Sequence, residues 1–303
     1  GTNLTNTKTG TAKIEGTKTW KVPDGEKLPE KITVILNRNG VQYDTKTVTA
    51  ADNWTYKWEN LPAYDTEGKA YSYTIDEVEI AGYQKSVSGT NLTNTKTGTA
   101  KIEGTKTWKV PDGEKLPEKI TVILNRNGVQ YDTKTVTAAD NWTYKWENLP
   151  AYDTEGKAYS YTIDEVEIAG YQKNVSGYDL TNSKIVIGKI DENGSAIAGA
   201  KLKIIVKNAT TEEIVDSWTS AEKVHDVTGK LVAGIEYVLE ESSSPTGYAI
   251  AQSITFTITR DGTITVNAKP VSENKLTMVD AKLHFNVNKV ELGNGKEVEG
   301  AHL

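Results

Sequence analysis

Three kinds of side chain that are costly to bury recur together along this chain: a lysine, a glutamate and an amide or acid. Alternate residues of a strand share one face. On that rule Ile14, Gly16, Lys18 and Trp20 lie on one face, and Lys13, Glu15, Thr17 and Thr19 on a polar one. Lys18 is therefore expected to point inward. The same alternation groups Glu77 with Tyr71, Tyr73 and Ile75, and Asn94 with Leu92. Later in the chain it groups Lys189 with Ile185 and Ile187, Glu241 with Ile235, Tyr237 and Leu239, and Asp280 with Leu276 and Met278. The neighbours Asp76 and Glu240 fall on the outer faces.

A buried lysine or glutamate costs free energy unless it is paired. A single such lysine reads as one that snorkels to the edge of its sheet, next to a buried ion pair. A recurring triplet points instead to a reaction. Apolar burial favours the neutral amine and the neutral acid, and a neutral lysine is a nucleophile. A protonated glutamate can polarise the carbonyl of Asn or Asp and relay protons to the leaving group. The fold supplies proximity. Lysine with asparagine would expel ammonia; lysine with aspartate would expel water.

The elements that must position these groups are repeated. Gly1–Ser88 recurs as Gly89–Ser176 with one difference, Ser86 against Asn174, and Lys18 recurs as Lys106 at an offset of 88. A period of this size marks an array of like units. Within the unit, strands are expected at Lys31–Asn37, Val41–Val48, Asn53–Trp58, Ala70–Val78 and Thr90–Thr95, with Asn39-Gly40 as a tight hairpin turn and Asn60-Leu-Pro62 closing the third. About six short strands in under 90 residues fit a Greek-key sandwich. The segment Ser220–Val227 reads as a loop or a single turn.

Composition agrees with an all-β array and excludes other classes. Only 37% of residues are hydrophobic, which suits several small half-buried sandwiches better than one large core. The net charge of −6 is spread along the chain with no basic stripe, so nucleic acid is not an expected partner. No apolar run is long enough to span a membrane. Cysteine is absent, so small modules need a staple other than a disulfide. His225, His284 and His302 show no ligand spacing, and Asp191-Glu-Asn-Gly194 reads as a hairpin turn rather than a calcium loop. No cofactor or metal is expected. Trp54, Tyr56 and Trp58 alternate, and such a stripe reads as core rather than as a sugar platform.

Several of these motifs together resemble a known family. Gly16-Thr-Lys-Thr-Trp20, Asn53-Trp-Thr-Tyr56, Asn60-Leu-Pro62, Tyr73-Thr-Ile-Asp-Glu77, Gly82-Tyr83 and Leu92-Thr-Asn94 resemble the Cna B-type repeat of Gram-positive collagen adhesins and pilins. The second unit matches at Lys106, Glu165 and Asn182. The third is similar to the prealbumin-like pilin type, with Tyr237–Tyr248 like its E-box and Thr277-Met-Val-Asp-Ala281 like its last strand. The resemblance implies tandem immunoglobulin-like or prealbumin-like β-sandwich modules in an elongated array. It also implies intramolecular isopeptide bonds: Lys18–Asn94 with Glu77, Lys106–Asn182 with Glu165, and Lys189–Asp280 with Glu241.

The expected division is 1–10 as the last strand of a preceding module, 11–96 and 97–184 as the two repeats, 185–282 as the Lys–Asp module and 283–303 as the start of another. Neither end shows a leader or sorting signal, as expected of a mature or excised chain. Asn6 and Lys289 are read as halves of bonds to further modules and are expected to be unreacted. No Tyr-Pro-Lys-Asn pilin motif is present. The implied protein is a monomeric stalk on the extracellular, cell-wall-anchored surface, not a turnover enzyme. Its partners would be host extracellular matrix or another cell surface, reached through other parts of the full protein, with no membrane contact. A matrix-binding module and a carbohydrate-binding array are the alternatives.

Overall fold

The computed structural model describes residues 6–207 and 211–284, with 287, 289, 290, 292, 293, 295, 296 and 298. Most of the further module read at 283–303, and residues 1–5 of the strand read at 1–10, lie outside the described residues. Contacts divide the chain into two compact units: 1–103 with 125–130 and 145–162, and 104–124 with 131–144 and 163–303.

In the first repeat, seven strands form two sheets. One has the order Thr55–Pro62, Thr11–Lys21, Asn91–Lys96, Tyr83–Ser88; the other has Val41–Thr49, Lys31–Arg38, Tyr73–Glu77. Their inner faces share one core, in which Val34, Leu36 and Ile75 from one sheet meet Tyr56, Trp58 and Leu92 from the other. The β-branched and aromatic residues that suggested strands supply this core. Asn39 and Gly40 both take positive φ, at 52° and 82°, which is the two-residue turn that matches strand twist. The second repeat has the same strand order in its two sheets.

The opening and closing strands pair in parallel, with Lys18 opposite Leu92 and Trp20 opposite Asn94. The third module pairs Val186–Asp191 with Lys275–Asp280 in the same sense. It faces that small sheet, edged by His225–Asp226, with a six-stranded sheet ordered Glu212–Thr219, Lys201–Lys207, Glu236–Ser243, Ile254–Ile258, Ile264–Val266, Lys269–Pro270. Ile187, Leu239, Phe256 and Met278 fill the space between them.

Several details differ from the sequence reading. The segment Ser220–Val227, read as a loop or a single turn, contains the short strand His225–Asp226, which pairs with Val186 and Ile187. The strand expected at Asn53–Trp58 begins at Thr55 and runs through Pro62. A one-turn helix, Ala50–Asp52, capped by Thr49 and Asp52, leaves Asn53 and Trp54 left-handed, so Trp54 sits in a turn. The strand expected at Ala70–Val78 is only Tyr73–Glu77, because Ala70 bridges to Tyr64 and Tyr71 N–H bonds the Ala63 carbonyl. Ile235 is 39% exposed, outside the strand that starts at Glu236. Tyr83–Ser88 forms a strand that apolar alternation does not reveal.

Gly16 fixes how closely the closing turn approaches the opening strand. A Cβ there would lie 1.9 Å from the Thr90 carbonyl oxygen and 2.8 Å from the Tyr56 ring. That same carbonyl accepts the Tyr56 hydroxyl at 2.7 Å. Gly16→Ala should therefore destabilise the first repeat by about 1–3 kcal/mol, lowering its midpoint by at least about 5 °C. Calorimetry of the full chain should show the transition of the second repeat, which keeps Gly104, in place; an unchanged profile would mean the approach is not tight.

Candidate functional site

The parallel pairing places each lysine two positions diagonal to its asparagine or aspartate. Lys18 is opposite Leu92, with Asn94 two residues on. Lys106 is opposite Leu180, with Asn182 two residues on. Lys189 is opposite Met278, with Asp280 two residues on. Residues two apart share a face, and a long side chain spans that diagonal. The glutamate enters from the facing sheet: Glu77 ends Tyr73–Glu77, Glu165 ends Tyr161–Glu165, and Glu241 lies in Glu236–Ser243. All of these lysines, glutamates, asparagines and the aspartate are buried, none more than 7% exposed.

In the first repeat Lys18 Nζ lies 2.7 and 2.6 Å from the two Glu77 oxygens and 4.7 Å from the Trp20 ring centroid. Trp20 is held edge-on by Trp54 and Tyr83, each at 5.2 Å. The turn at Trp54 also presents its carbonyl to the Lys18 N–H at 2.8 Å. The second repeat repeats this arrangement: Lys106 Nζ to Glu165 Oε1 at 2.6 Å, Lys106 N–H to the Trp142 carbonyl at 2.7 Å, and Trp108 between Trp142 and Tyr171. In the third module Lys189 Nζ donates to Asp280 Oδ1 and lies 3.1 Å from Glu241 Oε2. Glu241 is aimed there by the Ala251 N–H, which donates to the same Oε2 at 2.7 Å.

Burial disfavours the charged forms of Lys18, Lys106 and Asp280. Desolvation holds the Lys18 pKa below the usual lysine value; the Glu77 hydrogen bond and charge oppose it, and the charge of Lys85 adds to it. Lys106 is lowered for the same reasons, with Lys173 in the place of Lys85. Desolvation raises Asp280, and Glu241 raises it further against the pull of Lys189. Among the described residues, buried side-chain atoms without a hydrogen-bond partner include Asn94 Oδ1, Asn182 Oδ1, Glu165 Oε2, Glu241 Oε1 and Asp280 Oδ2. Each such orphan costs about 1–3 kcal/mol. They belong to the buried lysine, glutamate and asparagine or aspartate trios.

The other sequence candidates lie elsewhere. Asp76 binds Lys85 at the surface and Glu240 binds Lys203. Asn6 and Lys289 are exposed. Tyr56 and Trp58 are buried, and the Trp58 indole donates to Asp44 at 2.7 Å, so this stripe offers no open sugar platform. Asp191 ties its own turn, accepting from the Asn193 and Ser195 N–H groups at 2.9 Å. His225 stacks on Trp218 and bonds Asp216. Among the described residues no cluster is placed to hold a metal. Two positioning groups that sequence reasoning missed, the Trp54 carbonyl and the Ala251 N–H, are main-chain atoms and carry no residue-type signal.

A chain with Asn94→Ala leaves Lys18 and Glu77 in place with no carbonyl to attack. Because folding lowers the Lys18 pKa below 10.5, the unfolded state binds more protons in the window beneath that value. Stability of the first repeat should rise with pH through this window and be fully present above 10.5. Urea midpoints across alkaline pH should show the rise, and adding Lys18→Met should flatten it. A fall in stability over the same window would mean that the pair is held charged.

The model of the Cna protein B-type domain matches residues 14–95 and 102–183, and that of a prealbumin-like fold domain matches 183–271. A collagen adhesin of Staphylococcus aureus is 34% identical over 199 residues, covering 63% of this chain and 17% of the adhesin. The chain thus spans about a sixth of that relative's length. Solved structures with similarity include a single B repeat unit of the S. aureus collagen-binding surface protein (33% identity, 57% of this chain, 98% of that chain, TM-score 0.29). A two-repeat structure of the same protein is also similar (25% identity, 90% and 76% covered, TM-score 0.39). With two matches that together span more than half of its length, the chain belongs to the Cna protein B-type domain family.

Proposed function

We propose that this chain is a stalk segment of a Gram-positive, cell-wall-anchored surface adhesin, whose modules at 11–96, 97–184 and 185–282 each lock themselves with one isopeptide bond. The observation that carries the reading is the repeated burial of lysine, glutamate and amide or acid on paired and facing strands, with the charge of Lys18 and Lys106 disfavoured.

The reaction needs no outside reagent. With the shared proton on Glu77, the Lys18 amine is neutral and Glu77 polarises the Asn94 carbonyl. Nζ attacks Cγ, and a new C–N bond forms. Glu77 carries a proton from Nζ to Nδ2, the Cγ–Nδ2 bond breaks, and ammonia leaves. Lys106, Glu165 and Asn182 follow the same course. Lys189 and Asp280, with Glu241, lose water instead. Each step is redox-neutral and happens once, so the chain turns over no substrate.

The topology supports a mechanical role. In a parallel pair the first strand enters at one pole and the last leaves at the other, so tension along the chain loads that pair in shear. A bond between the two strands carries the load around the module. It also closes most of the module into a loop, which by analogy with long disulfide loops is worth about 4–5 kcal/mol. The identity to a collagen adhesin supports a matrix protein as the class of ligand, bound by other parts of the full-length protein.

Intact mass tests the reading. Three bonds predict a deficit of about 52 Da from the sequence mass, two ammonias at ~17 Da and one water at ~18 Da. Glu77→Gln keeps the shape but not the proton relay, and should leave a deficit of about 35 Da. A chain at its full sequence mass would reduce the trios to buried polar clusters.

A further inference from the structure

Each repeat contains a second lysine placed against the same site. Lys85 lies on Tyr83–Ser88, directly opposite Asn94 in the antiparallel register. Its Nζ donates to Asp76 Oδ1 at 2.5 Å and to the main-chain carbonyl of Glu77 at 2.8 Å. Asp76 and Glu77 belong to the other sheet, so this one side chain bridges the two sheets at the level of the trio. In the second repeat Lys173 is opposite Asn182, donates to Asp164 Oδ1, and reaches the Glu165 carbonyl at 2.9 Å.

We propose that Lys85 and Lys173 are positioning residues for bond formation: each ties the peptide of the shuttle glutamate to the sheet that holds the nucleophile and its target, and places a fixed cation beside the nucleophile. The inference rests on the bond-forming reading above. Lys85 exchanges no atom in the reaction. Its first effect is geometric. Glu77 is the last residue of its strand; the Val78 N–H ties that end to the Thr33 carbonyl of its own sheet, and Lys85 ties the Glu77 carbonyl to the opposite sheet. Its second effect is electrostatic. The charged and titratable groups facing the Lys18–Glu77 pair are Lys85, Asp76 bound to it, and the buried Tyr56 phenol, and the Lys85 charge disfavours the ammonium form of Lys18. The third module achieves the geometric part differently: the Ala251 N–H holds Glu241, while Lys203 bonds Glu240 at 3.2 Å.

The test uses the full chain made by cell-free translation, quenched in acid at intervals, with each bond followed by intact mass and by its cross-linked peptide. The second repeat in the same molecules serves as an internal clock. Lys85→Met should slow the first-repeat bond by about tenfold or more, in keeping with the sensitivity of such reactions to placement, and leave the second unchanged. Its rate profile should also move to higher pH, because losing the cation raises the Lys18 pKa. Lys85→Arg should restore both rate and profile. If Lys85→Met fails to fold, Asp76→Asn, which loosens the same lysine, should slow the same bond. A wild-type chain that reacts while Lys85→Met keeps pace overturns the positioning role alone. A slower rate with an unmoved profile, not rescued by arginine, also overturns it. A wild-type chain that keeps its full mass overturns the bond-forming reading and this role with it.

Discussion

A lysine, a glutamate and an asparagine or aspartate are buried together on paired and facing strands of each module, and the rest of the module is arranged to keep them there. Burying a charged ammonium in a dry core is expensive, and a lone buried carboxylate is equally so. The pair Lys18–Glu77 offsets part of that cost through its hydrogen bonds, while desolvation still holds the Lys18 pKa below the usual lysine value. Under the proposed reaction, whatever raises the cost of charge here would also raise the reactivity of the lysine amine, and the product would be a neutral amide.

The scaffold follows from that demand. Two adjacent parallel strands bring lysine and target onto one face with a fixed two-residue offset, seen at Lys18/Asn94, Lys106/Asn182 and Lys189/Asp280. The facing sheet supplies the glutamate, so the trio closes only when both sheets are packed. Trp20, wedged between Trp54 and Tyr83, walls off one side of the first site and provides a π-face to the amine. Gly16 lets the turn before the closing strand come into van der Waals range of the opening strand. The third module reaches the same trio with a different larger sheet and an aspartate target, so the geometry of three groups, rather than the surrounding sequence, is what the modules share.

Much of this was legible in the sequence because strand alternation is a strong local rule. Lys18 stood out as the one polar residue on the face of Ile14 and Trp20, and Glu77 and Asn94 stood out in the same way. The 88-residue repeat and the absence of cysteine then pointed to a staple of another kind. Other features were hidden for physical reasons. The parallel sense of the first and last strands depends on contacts far apart in sequence. Trp54 lined up with Tyr56 and Trp58 by spacing alone, yet a left-handed turn at Asn53–Trp54 takes it off the strand and onto Trp20. Ile235 fitted its alternation but lies one residue before its strand begins. Tyr83–Ser88, with Gln84, Lys85, Ser86 and Ser88, has no apolar rhythm because it is an edge strand, and the lysine it carries was hidden with it.

Under the proposed function, covalent closure rather than strand hydrogen bonding bears tension across each module. Pulling single chains from their two ends tests this directly. A module closed between Lys18 and Asn94 locks the 75 positions between them, so extension is expected with no unfolding step from the three modules. Repeated steps of about 250 Å, the contour length of such a loop at about 3.3–3.6 Å per residue, would show that the strands part under load and would contradict it.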